Sequence, residues 1–257
     1  MKNFMLFLAL VVFAGGIISS CSEDSNTPSK EKNLFPATNN SFWVYTRTYV
    51  NDGQTATATD SVAISGTETV KGQTASKYNV YTGGQLRESY FRYSQDSKLY
   101  SLPSELLPAD ILALIPAEIL PQDWVVIADD KTNSWEMFTF NVDNVPVDLG
   151  GTTTTLNGVI KVTGQKGGMV NKSVGATNYS CQEFTSKISY TGKINYLGQN
   201  IDLKFEVNSK TYYADNVGLV YSETPEQEIV VDLVFSKIPV YKIEATNSAL
   251  VRFSVAQ

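Results

Sequence analysis

The sequence predicts a mainly β fold of antiparallel strands with one short helical insertion, and three observations carry that expectation. Runs rich in Val, Ile, Thr, Tyr and Phe recur from Phe42 to Val255, and Gly, Asn and Asp separate them at the spacing of an antiparallel meander. Ile201, Leu203, Phe205 and Val207 alternate with Asp202, Lys204, Glu206 and Asn208, the pattern of a sheet with one buried and one wet face. Only between Pro103 and Pro121 does the period change, with Leu107, Ile111, Leu114, Ile115 and Ile119 spaced by threes and fours as on a helix face. A β-sandwich is the alternative arrangement of the same strands.

Taken in order, the first strand spans 42–50, and Asn51-Asp52-Gly53 ends it because Asp-Gly accepts the positive φ of a hairpin turn. Strands follow over 58–65, 76–82, 86–94 and 98–102, punctuated by Gly66, Gly72, Gly83-Gly84 and Gln95-Asp96. In the insertion at about 103–121, Pro108 and Pro116 fit the first turn of a helix but not its interior, so two or three short helical pieces are expected. No Lys or Arg occurs from Leu99 to Asp130, whereas a helix lying on a membrane carries basic residues on its polar face. The apolar face therefore packs on the protein's own sheet, where Ile111, Leu114, Ile115 and Ile119 are the candidate residues to line or cover a ligand cavity. Strands resume over 124–128, 134–142, 145–149, 159–163, 179–190, 193–197, 201–207, 212–221, 229–235, 240–245 and 250–255, with turns at Asp129–Asn133 and Asp215-Asn216. A faint echo of Trp43, Ile64-Ser65-Gly66 and Tyr78 in Trp135, Val162-Thr163-Gly164 and Tyr179 raises the question of an internal duplication.

Ahead of these strands, Lys2 precedes an uncharged apolar run from Phe4 to Ile18, which closes on Ile18-Ser19-Ser20-Cys21. The run has signal-peptide length and polar sequence follows at once. The closing residues resemble a bacterial lipoprotein lipobox, which implies cleavage before Cys21, acylation of that cysteine and attachment to the membrane through its acyl chains. The expected organisation is a signal peptide over 1–20, a lipidated Cys21 and tether over 21–40, and one β-rich domain over 41–257. Ser22 to Asn33 is polar and too poor in apolar residues to fold alone, and reaches at most ~40 Å when extended. Glu23-Asp24 looks like the acidic export tag of Bacteroidota-type lipoproteins, implying an outward-facing outer-membrane location, with a periplasm-facing one as the alternative. Val217-Gly218-Leu219-Val220, with Trp43-Val44-Tyr45 and Val70-Lys71-Gly72, resembles β-rich bacterial lipoproteins of uncharacterised function. That resemblance implies a large curved antiparallel sheet, an open or half barrel similar to lipoprotein carriers.

Composition narrows the function. Without residues 1–20 the chain has 19 basic and 26 acidic residues, net −7, which argues against binding nucleic acid or an anionic membrane surface. Histidine is absent, so Ser-His-Asp and Cys-His catalysis and His-ligated zinc or haem are impossible. There is no phosphate-cradling loop and no Gly-x-Ser-x-Gly elbow, and the Ser29-to-Lys32 spacing falls in the tether. Asp129-Asp130 and Asp143-Asn144 lack the loop of alternating ligands that calcium needs and read as turns, so no metal or cofactor is expected. With Cys21 acylated, Cys181 has no disulfide partner and reads as a buried, inert thiol. The expected function is a non-catalytic, lipid-anchored envelope protein that binds an apolar or amphipathic ligand. A glycan-binding or adhesive surface protein using exposed members of its 14 Tyr, 12 Phe and 3 Trp is the second expectation, and a carboxylate-based hydrolase the third.

Overall fold

The computed structural model describes residues 32–51, 53–107, 112, 115, 117–149, 152–196, 198–233 and 236–256. Residues 1–20, expected to be a signal peptide, and Cys21, Glu23-Asp24, Ile111 and Leu114 lie outside the described residues.

Among the described residues fourteen strands form: β1 (Phe42–Asn51), β2 (Gln54–Val70), β3 (Gln73–Thr82), β4 (Gln85–Gln95), β5 (Lys98–Ser101), β6 (Val125–Asp129) and β7 (Ser134–Leu149), then β8 (Thr152–Val174), β9 (Thr177–Tyr196), β10 (Gln199–Ala214), β11 (Gly218–Thr224), β12 (Gln227–Leu233), β13 (Ser236–Ile243) and β14 (Thr246–Ser254). Twelve of them make one antiparallel sheet in the order β6-β5-β4-β3-β2-β1-β14-β11-β10-β9-β8-β7, and β12 and β13 form a separate hairpin between β11 and β14. The fold is thus mainly β, a large and nearly closed curved sheet that resembles a barrel with one seam. The sandwich alternative fails because a single ladder runs continuously from β6 to β7.

Strands this long must bend. The ladders shift register at Val44/Tyr45, Ile64/Thr67, Val142/Val145, Lys166/Met169 and Tyr212/Tyr213, and each such bulge adds local twist and coils the sheet. This also corrects two boundaries. Gly66 was expected to end a strand, yet β2 runs through it to Val70, and β8 extends well beyond 159–163, because a bulge absorbs the glycines without breaking the ladder. The described residues of the helical insertion include a 3-10 turn at Pro103–Glu105, with Pro103 at its start and the Leu106 N–H donating to the Pro103 carbonyl at 3.1 Å. The apolar residues beyond it serve the core. Leu107, Ile115 and Leu120 are buried with Val125, Phe138, Phe140, Val142, Ile160 and Tyr190.

The seam lies between β6 and β7, consecutive strands that do not pair with each other. The Asp129 carboxylate shapes the turn between them, accepting the N–H groups of Lys131 at 2.8 Å and Thr132 at 3.2 Å. Side chains close the gap instead of a ladder. Trp135, on β7, donates its indole N–H to the Val126 carbonyl of β6 at 2.7 Å. Its ring lies over Gly164, its cross-strand partner on β8, where any Cβ would overlap the indole. On the other side of the sheet, Asp60 of β2 joins its two neighbours, accepting from Arg47 of β1 and from Thr82 of β3, both at 2.6 Å. Burial alone would raise the Asp60 pKa, but these bonds outweigh it and hold the carboxyl below its ordinary value.

Gly164→Ala should therefore displace the Trp135 indole and open the seam, with a loss of about 2–4 kcal/mol, the range of steric and packing lesions in cores. Chemical unfolding followed by tryptophan fluorescence measures it. An unchanged midpoint would show that Trp135 does not hold the seam.

Candidate functional site

Strand alternation brings one set of side chains to a common cleft. On β1, Trp43 and Tyr45 lie two residues apart and so share a face, as do Tyr90 and Arg92 on β4. Ladder register places Tyr78 opposite Tyr90, and Val62 opposite Trp43. Leu99, Tyr213, Gly218 and Leu219 complete the wall. The segment Leu34-Phe35-Pro36 forms the cap.

The cap is packed, although it falls in the stretch expected to be tether. Leu34 is 3% and Phe35 7% exposed, and both join Leu99, Ala128, Phe184 and Tyr213 in one cluster. Two apolar side chains in an otherwise polar leader are enough to dock it. Backbone bonds fix it to the turn after β10. The Asn33 N–H donates to Asp215 Oδ1 at 2.7 Å and the Asn216 N–H to the Asn33 carbonyl at 2.9 Å. Gly218, at φ 89°, lies against Pro36 and the Trp43 indole nitrogen, each 3.4 Å from where a Cβ would stand. The Val217-Gly218-Leu219-Val220 motif thus forms the turn expected and also receives the wall. Trp43 Nε1 donates to the Val217 carbonyl at 2.6 Å and the Tyr45 hydroxyl to the Leu219 carbonyl at 3.0 Å.

The cleft encloses about 70 Å³. That is room for a carboxylate or a few waters, and is far below the roughly 300–1,000 Å³ of pockets that swallow a drug-sized ligand. Its walls are aromatic: Tyr78 stacks on Tyr90 with centroids 5.2 Å apart, and Trp43 on Tyr78 at 6.5 Å. Burial raises the pKa of Tyr45, Tyr78, Tyr90 and Tyr213, so these phenols are neutral hydroxyls at physiological pH.

One cation faces this wall. The Arg92 guanidinium carbon stands 4.4 Å from the centre of the Tyr90 ring. Its Nε is sealed from solvent and has no hydrogen-bond partner among the described residues. The nearest carboxylate oxygen, on Glu105, is 3.9 Å away, beyond hydrogen-bond reach. Glu105 is already engaged, accepting from the Phe91 N–H at 3.1 Å and from the Ser101 hydroxyl. Burial, moreover, raises the Glu105 pKa against the pull of these bonds and of the Arg92 charge. Arg92 cannot shed its proton, so the cleft holds a positive charge that the protein only partly compensates. The side chain remains 22% exposed, so it is still accessible from outside.

Of the four residues expected to line or cover a cavity, Ile115 and Ile119 are described, and neither lines this cleft. Ile115 is 8% exposed within the core beside Leu107 and Phe138, and Ile119 packs partly buried against the same cluster. Trp43 is buried, while Trp124 and Trp135 are half-buried and donate to backbone carbonyls. Cys181 is fully buried, and burial pushes its thiol up to about 11, which suits an inert core cysteine. Among the described residues no group of three His, Cys, Asp or Glu side chains converges to hold a metal. Sequence reasoning passed over Arg92, although a signal was present. It is one of few arginines in the chain and lies two residues after Tyr90 in an aromatic strand, so alternation alone puts both on one face.

No protein-family model matches the chain, and no curated protein matches it. Among solved structures it is similar to a candidate lipoprotein from Parabacteroides distasonis, at 12% identity over 87% of this chain and 99% of that one, with a TM-score of 0.45. It is also similar to a candidate exported protein with a YmcC-like fold from Bacteroides fragilis, at 14% identity over 87% of this chain and 100% of that one, with a TM-score of 0.37.

Because Ile115 sits in the core, Ile115→Ala should cost about 2–5 kcal/mol, as large-to-small core changes do. Urea unfolding measures this. A loss under about 1 kcal/mol would mean that the site is loosely packed.

Proposed function

We propose that the protein is a lipid-anchored envelope protein that binds, without turning it over, a small amphipathic molecule carrying one carboxylate. The acid group sits on Arg92, and the apolar part lies against Trp43, Tyr78 and Tyr90 beneath the Leu34-Phe35-Pro36 cap. The observation that carries this reading is the arginine itself. A guanidinium at an aromatic wall, with its Nε sealed and, among the described residues, without a hydrogen-bond partner, lacks the acceptor that a carboxylate would supply. The cleft volume selects the acid end and its first carbons, not a buried acyl chain. Lipidation at Cys21 would hold the body at the outer membrane, facing outward if Glu23-Asp24 acts as an export tag. The cap then follows directly from the tether, so the anchor and the cleft belong to one continuous stretch of chain.

Hexanoate and hexanol separate the acid from the chain. In a thermal-unfolding assay of the full-length protein, hexanoate should raise the midpoint and hexanol should not. Arg92→Met, which keeps the side-chain length without the charge, should weaken hexanoate binding about tenfold, as expected for loss of a charge-assisted bond. Equal effects of the two probes, or equal hexanoate binding by wild type and variant, would overturn the proposal. For the anchor, Cys21→Ser should move the protein from the membrane to the soluble fraction or leave an uncleaved precursor. A processed variant that stays membrane-bound would remove the lipid anchor from the account.

A further inference from the structure

A second cleft, of about 410 Å³, opens where β11 hands over to the β12–β13 hairpin and β14 begins. Its volume falls within the range of pockets that enclose small organic ligands. Register shows how its residues come together. Lys210 of β10 is opposite Glu223 of β11, and Glu223 is opposite Asn247 of β14, so the three point to one face of the sheet. Asn208 and Tyr221 lie two positions along β10 and β11, so they share that face. Pro225 and Ala245, at the foot of the hairpin, supply apolar surface beside them.

The charges in this cleft are already matched. Lys210 pairs with Glu183 at 3.1 Å. Glu223 accepts the Tyr212 hydroxyl at 2.6 Å and has Lys172 3.9 Å away. Such a balanced set offers little to an ion, in contrast to the Arg92 cleft. The side-chain amides of Asn208 and Asn247, however, have no hydrogen-bond partner among the described residues. Each amide presents a donor and an acceptor in one plane. Tyr221 adds a fixed aromatic surface, held by Lys172 at 4.5 Å from its ring centre and by tilted contact with Tyr212 at 5.9 Å. Thr224 and Thr246 line the same cleft, and their hydroxyls already bond Ser209 at 2.8 Å and the Thr48 carbonyl at 3.3 Å, which fixes their remaining lone pairs.

We propose that this cleft is a carbohydrate subsite for one or two neutral sugar rings, separate from the Arg92 cleft. A pyranose presents hydroxyls around its ring that each give and take a hydrogen bond, which suits amides set on two strands of the cleft, and an apolar C–H face, which suits a tyrosine beside proline and alanine. A phosphate or sulfate ligand would instead need unpaired cations, and here both lysines have carboxylate neighbours.

Saturation-transfer NMR tests this with four probes: maltose, cellobiose, lactose and diacetylchitobiose. The full-length protein is used in a detergent without a sugar head group. At least one disaccharide should bind saturably, and Asn208→Ala and Asn247→Ala should each weaken it about tenfold, as expected for loss of a pair of hydrogen bonds. Arg92→Met should leave that affinity unchanged, and so should added salt. The proposal is overturned if none of the four binds saturably, if both asparagine variants bind as wild type does, or if salt abolishes the binding.

Discussion

A twelve-stranded sheet whose first and last strands do not hydrogen-bond to each other needs side chains to keep it shut. Here the requirement falls on Trp135. Its indole reaches across from β7 to the Val126 carbonyl of β6, and it can lie flat because Gly164 leaves its place on β8 empty. The glycine weakens β8 locally but makes room for a large aromatic group at the one edge that lacks a ladder. Elsewhere a similar accommodation recurs: the Tyr190 ring lies across the facing pair Gly158 and Gly192, whose backbones leave no room for a Cβ.

Closure of the seam also shapes the aromatic cleft. Trp135 and Ile127 pack against the cluster of Leu34, Phe35, Leu99, Ala128, Phe184 and Tyr213, and four of those six residues line the cleft. Trp135 meets Phe184 at 6.4 Å, and Phe184 meets Tyr213 at 5.9 Å, so one run of rings leads from the seam to the aromatic wall of the cleft. A lesion at the seam would loosen the wall before it touched Arg92. The polar cleft at β10, β11 and β14 rests on backbone ladders and ion pairs, and its Tyr221 packs against the cluster that holds Trp43, Tyr45 and Tyr78.

Much of the fold was legible because period and punctuation are local signals. The alternation from Ile201 to Val207 gave the two faces of β10, the end of β1 at Asn51 was marked by its turn signal, and Asp215-Asn216 marked a turn that the structure contains. The extent of β2 and β8 was not legible, because Gly66 and Gly164 look like breakers until their bulge and their indole are known. The three- and four-residue spacing of Ile111, Leu114, Ile115 and Ile119 reports an apolar face, but it does not tell whether that face covers a cavity or fills a core, and Ile115 fills a core. Arg92 escaped notice because its significance depends on Tyr78, Tyr213 and the cap, which come from distant parts of the chain. Only the topology makes them neighbours.

The claim on which the functional account rests is that an acid group completes the hydrogen bonding of Arg92. It is tested most directly by the arginine Nε–H resonances of the full-length protein while hexanoate is titrated in. Arg47, whose Nε already donates to Asp60 at 2.6 Å, serves as an internal reference. The account predicts that the Arg92 Nε–H signal shifts downfield and saturates while that of Arg47 stays in place. An Arg92 signal that does not move, or that moves in parallel with the exposed arginines and never saturates, would contradict it.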